Sequence, residues 1–389
     1  MAEFVASTPI TERLLEDLHD EITRAGGVIH DQVRLCERDG DFSVEAPGDI
    51  SPQTIILAVP QSLLLPISAF DLRLEGNDIC VGKIGADVSD AQRKLMEIVL
   101  GLFNETSKVA QHRAQSLFPL IEHAPDVLSS LSLRLGPEHA PDDLTGTSLL
   151  AHFLNARVLS VPSSHPKGGL QKVLMPVIDF LNHAPRAAGY LIHNGSLVAM
   201  RGWPAQSSDE CHICYGRYDA LDLVLKYGYV AEELGFAISK PMEIELESGH
   251  HISILRTGQP MDGAQIPDTF KDLGWILPAI GTDAARRLLQ FQYFPLMSVG
   301  KAVGQDAAWR QFLQHLVGEF LGEEAAGQTT PTVAYILRAV AEENMRHYKA
   351  ARSAIAATKA APEIETVISQ LNRMLDIQQA IFADYVDET

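Results

Sequence analysis

The segment MPVIDFLNH sets Asp179, Asn182 and His183 at the end of an apolar run, and Tyr215 follows later in CYG. With Arg157 upstream, these polar residues stand out from their surroundings. Taken alone, the Asn-His pair reads as a turn with satisfied hydrogen bonds, and Tyr215 as a half-buried strand tyrosine. Asp179 reads as a brace for the Asn182 turn rather than as a base. The sequence has no Gly-rich phosphate loop, no dinucleotide fingerprint, no His-Glu-x-x-His and no Gly-x-Ser-x-Gly. Cys211 and Cys214 form a C-x-x-C, but no second Cys/His pair gives it zinc-finger spacing. In a strand the two thiols would point to opposite faces, so no metal site is expected.

The elements around these residues fall into three stretches. Thr11 to Arg24 reads as a helix with Leu14, Leu15, Leu18 and Ile22 on one face. Strands are expected over 28–44 with a polar turn at 37–41, and again over 54–60. Asp90 to Leu102 is amphipathic and helical, and helical or irregular chain continues to about Leu159. Strands return at 173–178, and Asn194-Gly195 between two apolar runs predicts a tight hairpin. Cys211 to Tyr215 reads as a short strand and Asp219 to Lys226 as a short helix stopped near Gly228. Strand-like alternation follows over 241–255, and from Asp283 onward the chain reads mostly as helices. Trp309, Phe312, Leu313, Leu316 and Phe320 make one apolar stripe, and Ile364, Val367, Ile368, Leu371 and Leu375 begin another.

The 389 residues carry 31 Lys and Arg against 50 Asp and Glu, a net charge of -19. Such an acidic chain, with no basic run, is a poor partner for nucleic acid or anionic lipid. A protein partner with basic segments is the easier match. Hydrophobic residues make up 46%, which is ordinary globular composition and excludes a disordered chain. The most apolar stretch, Thr54 to Phe70, is broken by Pro60, Gln61 and Pro66, so no membrane span is expected. The first residues, MAEFVASTPI, lack a basic region and a long apolar core, and four cysteines are too few for a disulfide scaffold. A cytoplasmic location is expected.

The segment MPVIDFLNHAP at 175–185 resembles the signature of the SET-domain protein methyltransferases, best that of the Rubisco large-subunit lysine methyltransferase type. DECHICYGRYDALDLVLKYGYV at 209–230 is similar to the second signature of that group, in the same order and spacing. More weakly, the stretch from Gly40 to Pro66 resembles the N-terminal SET strands, and FLNARVLSVP at 153–162 the helix end before the core. The resemblance implies an α+β fold: a SET domain of small β sheets with a pseudoknot and a helical insertion, then a mainly helical C-terminal domain. It divides the chain into a SET domain at 1–235, with the insertion at about 85–170, and a substrate-binding-like domain at 236–389.

The implied activity is methyl transfer from S-adenosylmethionine to a protein side-chain nitrogen, lysine first and histidine second. Tyr215 would be the catalytic tyrosine, and Tyr227 would line the substrate side of the channel. Gly40, Phe42, Arg157, Asn182 and His183 would contact the cofactor. Two positions depart from the family pattern. Phe42 falls where the second glycine of a Gly-x-Gly lets the backbone approach the cofactor, and a side chain there could crowd the site. Asp219-Ala220 stands where Ser-Asn is usual, which keeps a helix cap but loses an asparagine side chain. The rival expectation is a non-catalytic SET scaffold that serves protein interaction.

Overall fold

A computed structural model of the chain describes residues 3–48, 50–132, 148–162, 169–185, 187–201, 209–231, 234–255, 268–273, 276–298, 304–322, 327–358 and 361–386. The chain opens with strand β1 (Glu3–Val5) and helix α1 (Pro9–Arg24). Strands β2 (Val28–Ile29), β3 (Arg34–Arg38), β4 (Asp41–Glu45), β5 (Ile55–Pro60), β6 (Leu65–Pro66), β7 (Phe70–Glu75) and β8 (Asp78–Ile84) follow. Helices α2 (Asp90–Glu105), α3 (Lys108–Gln115), α4 (Phe118–His123), α5 (Pro125–Ser132) and α6 (Leu149–Asn155) then interrupt the strands. Of the insertion expected at 85–170, residues 133–147 and 163–168 lie outside the described residues.

Strands resume with β9 (Val158–Pro162), β10 (Leu170–Leu174), β11 (Asn182–His183), β12 (Leu191–His193), β13 (Ser196–Met200) and β14 (His212–Ile213). After helix α7 (Ala220–Tyr227) come β15 (Phe236–Ile238), β16 (Met242–Glu245), β17 (His251–Ile254), β18 (Ile280–Asp283), β19 (Leu288–Phe291) and β20 (Pro295–Met297). Helices α8 (Gln305–Leu321), α9 (Thr329–Ala357) and α10 (Glu365–Val386) close the described chain. The architecture is a mixed β-sheet region, interrupted by helices, followed by a largely helical C-terminal domain. Among the described residues, no helix is long and apolar enough to cross a membrane.

By internal packing the chain divides into two units. The first holds 1–113 and 148–217, and the second 114–147 and 218–389. In the first unit four small sheets surround one core: β1-β3-β4, β6-β10-β9, β12-β13-β5-β2 and the parallel pair β11-β14, beside the β7-β8 hairpin. Two of its turns have a clear local cause. Asn194-Gly195 joins β12 to β13 with φ 49° and 76°, the double left-handed turn that matches strand twist. Asp39-Gly40 joins β3 to β4 in the same way, with φ 53° and 85°. A side chain at Gly40 would be strained there whatever surrounds it.

The second unit buries Trp309 between Phe294, at 5.4 Å, and Phe312, at 5.6 Å. The Asp219 carboxylate caps α7 by accepting from Asp222 N at 3.1 Å, and it accepts from Ile238 N at 2.8 Å. Ala220 is fully buried, so an asparagine amide there would need partners in an apolar core. The chain from Asp283 onward is mostly helical, as expected, but not from its start. Leu288–Phe291 and Pro295–Met297 are strands, and the helices begin only at Gln305. β19 lies between β17 and β18, and that long-range pairing overrides the local pattern.

Candidate functional site

The segment after β10 turns abruptly. Val177 is fully buried and has φ 62°, a conformation that a β-branched residue adopts only under strain. A single 3-10 turn, Ile178–Phe180, follows and sends both apolar ends into the core. The chain then emerges as β11, which pairs in parallel with β14: Asn182 opposite His212 and His183 opposite Ile213. Just before β14 the same strand segment binds β4, with Cys211 N donating to Val44 O at 2.7 Å and Ala46 N to Asp209 O at 2.8 Å. Residues 209–213 thus run from β4 to β11.

Asn182 holds this junction together. Its Nδ2 donates to Glu210 Oε1 at 2.7 Å and to Phe42 O at 3.4 Å. Tyr215 closes the other end. Its N donates to His183 Nδ1 at 3.1 Å, and its hydroxyl donates to Leu181 O at 2.5 Å. The His183 and Tyr215 rings lie 5.3 Å apart. Burial pushes the His183 ring down to about 4, so it is neutral at physiological pH and carries its proton on Nε2. With the Tyr215 proton committed to Leu181, the phenol oxygen faces other groups only as an acceptor. Two oxygens, phenolic and carbonyl, therefore present negative partial charge at one place without a neighbouring imidazolium.

The structure brings Phe42, Asn182, His183 and Tyr215 to this junction, by way of β4 and β11, while Gly40 lies in the β3–β4 turn against Glu37 and Lys108. Phe42 turns its ring inward, 6% exposed and stacked on Phe180 with centroids 4.5 Å apart. Only its carbonyl is offered to Asn182. Tyr227 belongs to the second unit, at the end of α7, with its ring 5.8 Å from Tyr218. Burial pushes the Cys211 thiol up to about 11 and raises Cys214 too, which disfavours the thiolate that metals and disulfide exchange require.

Arg157 sits just after α6, where its guanidinium lies 4.7 Å over the Phe153 ring and donates to Asp179 Oδ2 at 2.9 Å. Asp179 is thus an ion-pair partner, and its carboxyl is pushed up by burial while Arg157 and Lys108 pull it back. Lys108 had no signal in the sequence. It projects from the first turn of α3, and its Nζ donates to Gly40 O at 2.8 Å and to Asp41 Oδ1 at 2.5 Å. Burial, then the Arg157 charge, lower its ammonium. Glu37 was equally silent. It is 2% exposed and accepts from Gly40 N at 2.6 Å and Ser7 N at 2.9 Å, which pins the β3–β4 turn.

One turn beyond Lys108, His112 Nε2 meets His152 Nδ1 at 2.8 Å, and both rings are buried. Burial pushes His112 down to about 2, with His152, Arg157 and Lys108 adding repulsion. A ring depressed below its unfolded value of ~6.5 stabilises the fold above that pH and loses the contribution as pH falls toward the folded value. Unfolding free energy should therefore drop on acidification from pH 6.5, by on the order of 2–3 kcal/mol at pH 4.5 from this residue. His112→Gln, which keeps a donor within reach of His152, should flatten that slope in urea titrations at pH 7 and 4.5. An unchanged slope would assign the acid sensitivity to other groups.

No protein-family model matches the chain, and no curated protein matches it. Among solved structures it is similar to the SET domain of LSMT bound to lysine and AdoHcy, at 13% identity and a TM-score of 0.41, over 96% of this chain and 90% of that one. It is similar too to Rubisco LSMT bound to AdoMet, at 12% identity and a TM-score of 0.41, over 96% and 90%.

Proposed function

We propose that this chain is a protein methyltransferase that takes a methyl group from S-adenosylmethionine and places it on a side-chain nitrogen, with lysine as the acceptor. The observation that carries the reading is the β11–β14 junction, where Tyr215 donates from its N to His183 Nδ1 and from its hydroxyl to Leu181 O while Asn182 binds Glu210 and Phe42 O. The residues present suit such a cofactor. Arg157 Nε is buried with no hydrogen-bond partner among the described residues, and Lys108 adds a second cation on that side, as a carboxylate requires. Asn182, His183 and the Gly40–Phe42 backbone would hold the remainder.

S-adenosylmethionine supplies an electrophilic methyl on a sulfonium. Tyr215 and Leu181 supply two oxygens that stabilise positive charge and hold an acceptor amine in line. A lysine must lose its proton before it attacks, and it does so more easily beside the sulfonium charge. In this reading residues 1–235 serve the cofactor and 236–389 serve the protein substrate.

Calorimetry with S-adenosylhomocysteine, followed by transfer of labelled methyl to proteins of a lysate, tests the proposal. Binding with transfer supports it. Binding without transfer to any protein would favour the non-catalytic scaffold, and no binding at millimolar cofactor would remove the cofactor assignment. Phe42→Leu adds a sharper check on the family departure. The lost ring pair with Phe180 should cost about 0.5–1.5 kcal/mol of stability, while S-adenosylhomocysteine affinity should stay within about twofold, the side chain being core rather than cleft. Tighter binding in the variant would show that the ring crowds the site.

A further inference from the structure

The second unit has a groove of about 560 Å3, lined on one side by Lys240–Glu245 and on the other by Tyr335, Arg338, Ala339, Glu342, Glu343 and Arg346. The six helix residues recur at the three- and four-residue steps of a single face of α9. The opposite wall is a strand edge. β16 is the outermost strand of the sheet β16-β17-β19-β18.

The register shows which main-chain groups look into the open. Leu246 N donates to His250 O at 2.8 Å, and the same antiparallel register continues with Ile244 opposite Ile252 and Met242 opposite Ile254. Hydrogen-bonded pairs alternate along such a ladder. Met242, Ile244 and Leu246 therefore turn their N–H and C=O groups toward β17. Glu243 and Glu245 turn theirs the other way, to the edge that has no strand partner among the described residues. Their side chains are exposed on one face, while Ile244 is buried on the other.

The two walls are held at a set spacing. Asn344, fully buried on α9, accepts from Lys240 N at 2.9 Å and donates to Ser239 Oγ at 2.8 Å. Lys240 Nζ and Arg346 Nη2 both bind Glu343, each at 2.5 Å. The lining carries the carboxylates of Glu243, Glu245, Glu342 and Glu343 and the cations Lys240, Arg338 and Arg346. The two carboxylates of β16, Glu243 and Glu245, lie outside the ion-pair cluster, and Glu243 also accepts from Ser253 Oγ at 3.4 Å. Tyr335 is 52% exposed and, with the partly buried Met242 and Ala339, offers apolar area between the charges.

We propose that this groove docks an extended, lysine- or arginine-rich segment of a partner protein, which adds as a strand to the free edge of β16 beneath α9. Strand addition uses the main-chain groups of Glu243 and Glu245 for affinity. Cations at alternating peptide positions, on the face that these two side chains share, complete the carboxylates. The chain's net charge of -19 steers such a segment toward it. The groove lies in the part of the chain that the methyl-transfer reading gives to the protein substrate, and its test needs no cofactor, so binding and transfer are read separately.

The test uses the full chain and a fluorescein-labelled eight-residue peptide in which lysine alternates with valine. Anisotropy should show saturable binding in the micromolar range without cofactor, and the glutamate–valine counterpart should bind at least tenfold more weakly. Glu243→Lys/Glu245→Lys should weaken the lysine peptide at least tenfold. Glu12→Lys/Glu16→Lys, on the exposed face of α1, makes the same change in net charge and should weaken it by less than threefold. A peptide N-methylated at alternate residues, which cannot donate to a strand edge, should lose binding at least tenfold in one of its two registers. Circular dichroism would confirm that each variant is folded. No binding at millimolar peptide, equal loss in both double variants, or indifference to N-methylation in both registers would each overturn the proposal.

Discussion

Tyr215→Phe should lower the turnover of methyl transfer by roughly 10²–10³-fold, the size expected when one preorganised polar group at a developing charge is deleted. The hydroxyl sits on Leu181 O at 2.5 Å, so its oxygen is oriented before any ligand arrives. Phenylalanine keeps the ring and its place beside His183, and the backbone N–H of residue 215 still donates to His183 Nδ1. Folding should lose only the single hydrogen bond, about 1 kcal/mol. S-adenosylhomocysteine affinity should change by less than about threefold. The expected signature is therefore a fall in kcat with cofactor binding preserved, read by single-turnover transfer and by calorimetry. A normal kcat would take the hydroxyl out of the chemistry, and a lost cofactor affinity would make Tyr215 a binding residue.

The Arg157–Asp179 pair carries the other large effect, on stability. The two side chains are 17% and 12% exposed, and the guanidinium lies 4.7 Å from the Phe153 ring centroid and 5.2 Å from that of Phe103. Removing one partner leaves a buried, uncompensated charge, so Arg157→Met should cost about 3–5 kcal/mol in chemical denaturation followed by circular dichroism. Removing both, as Arg157→Met/Asp179→Leu, should recover most of that loss, because no charge is then stranded. The pH dependence gives a second readout. Burial already raises the Asp179 carboxyl, and loss of Arg157 removes the larger opposing charge. A carboxyl raised above its unfolded value binds its proton more tightly in the folded state, so stability falls as pH rises through the interval between the two values. The stability lost by Arg157→Met, measured against the parent chain at the same pH, should therefore be larger at pH 7 than at pH 5. A double variant no better than the single ones would show that the aromatic packing of Arg157, rather than its charge, matters.

The elements that the sequence determined by itself are those written in neighbouring residues. The periodicity of Leu15, Leu18 and Ile22 sets α1, Asn194-Gly195 sets the β12–β13 hairpin, and Asp219 sets the start of α7. Each depends on contacts within one turn or one hairpin. The two signature segments were legible as strings for the same reason. What they do to each other was decided only by the tertiary structure. β11 and β14 are two residues long, too short for any period, and Asn182 reaches Phe42 across 140 positions of chain. The direction of the Phe42 ring follows from the pairing of β4 with β3 across the Asp39-Gly40 turn, which assigns Phe42 and Val44 to the core face. Lys108, Glu37 and the His112–His152 pair carry no local pattern at all, since a buried polar group is defined by partners that only folding supplies. The strands over 280–297 belong to the same class, because a sheet edge or centre exists only once distant strands have met.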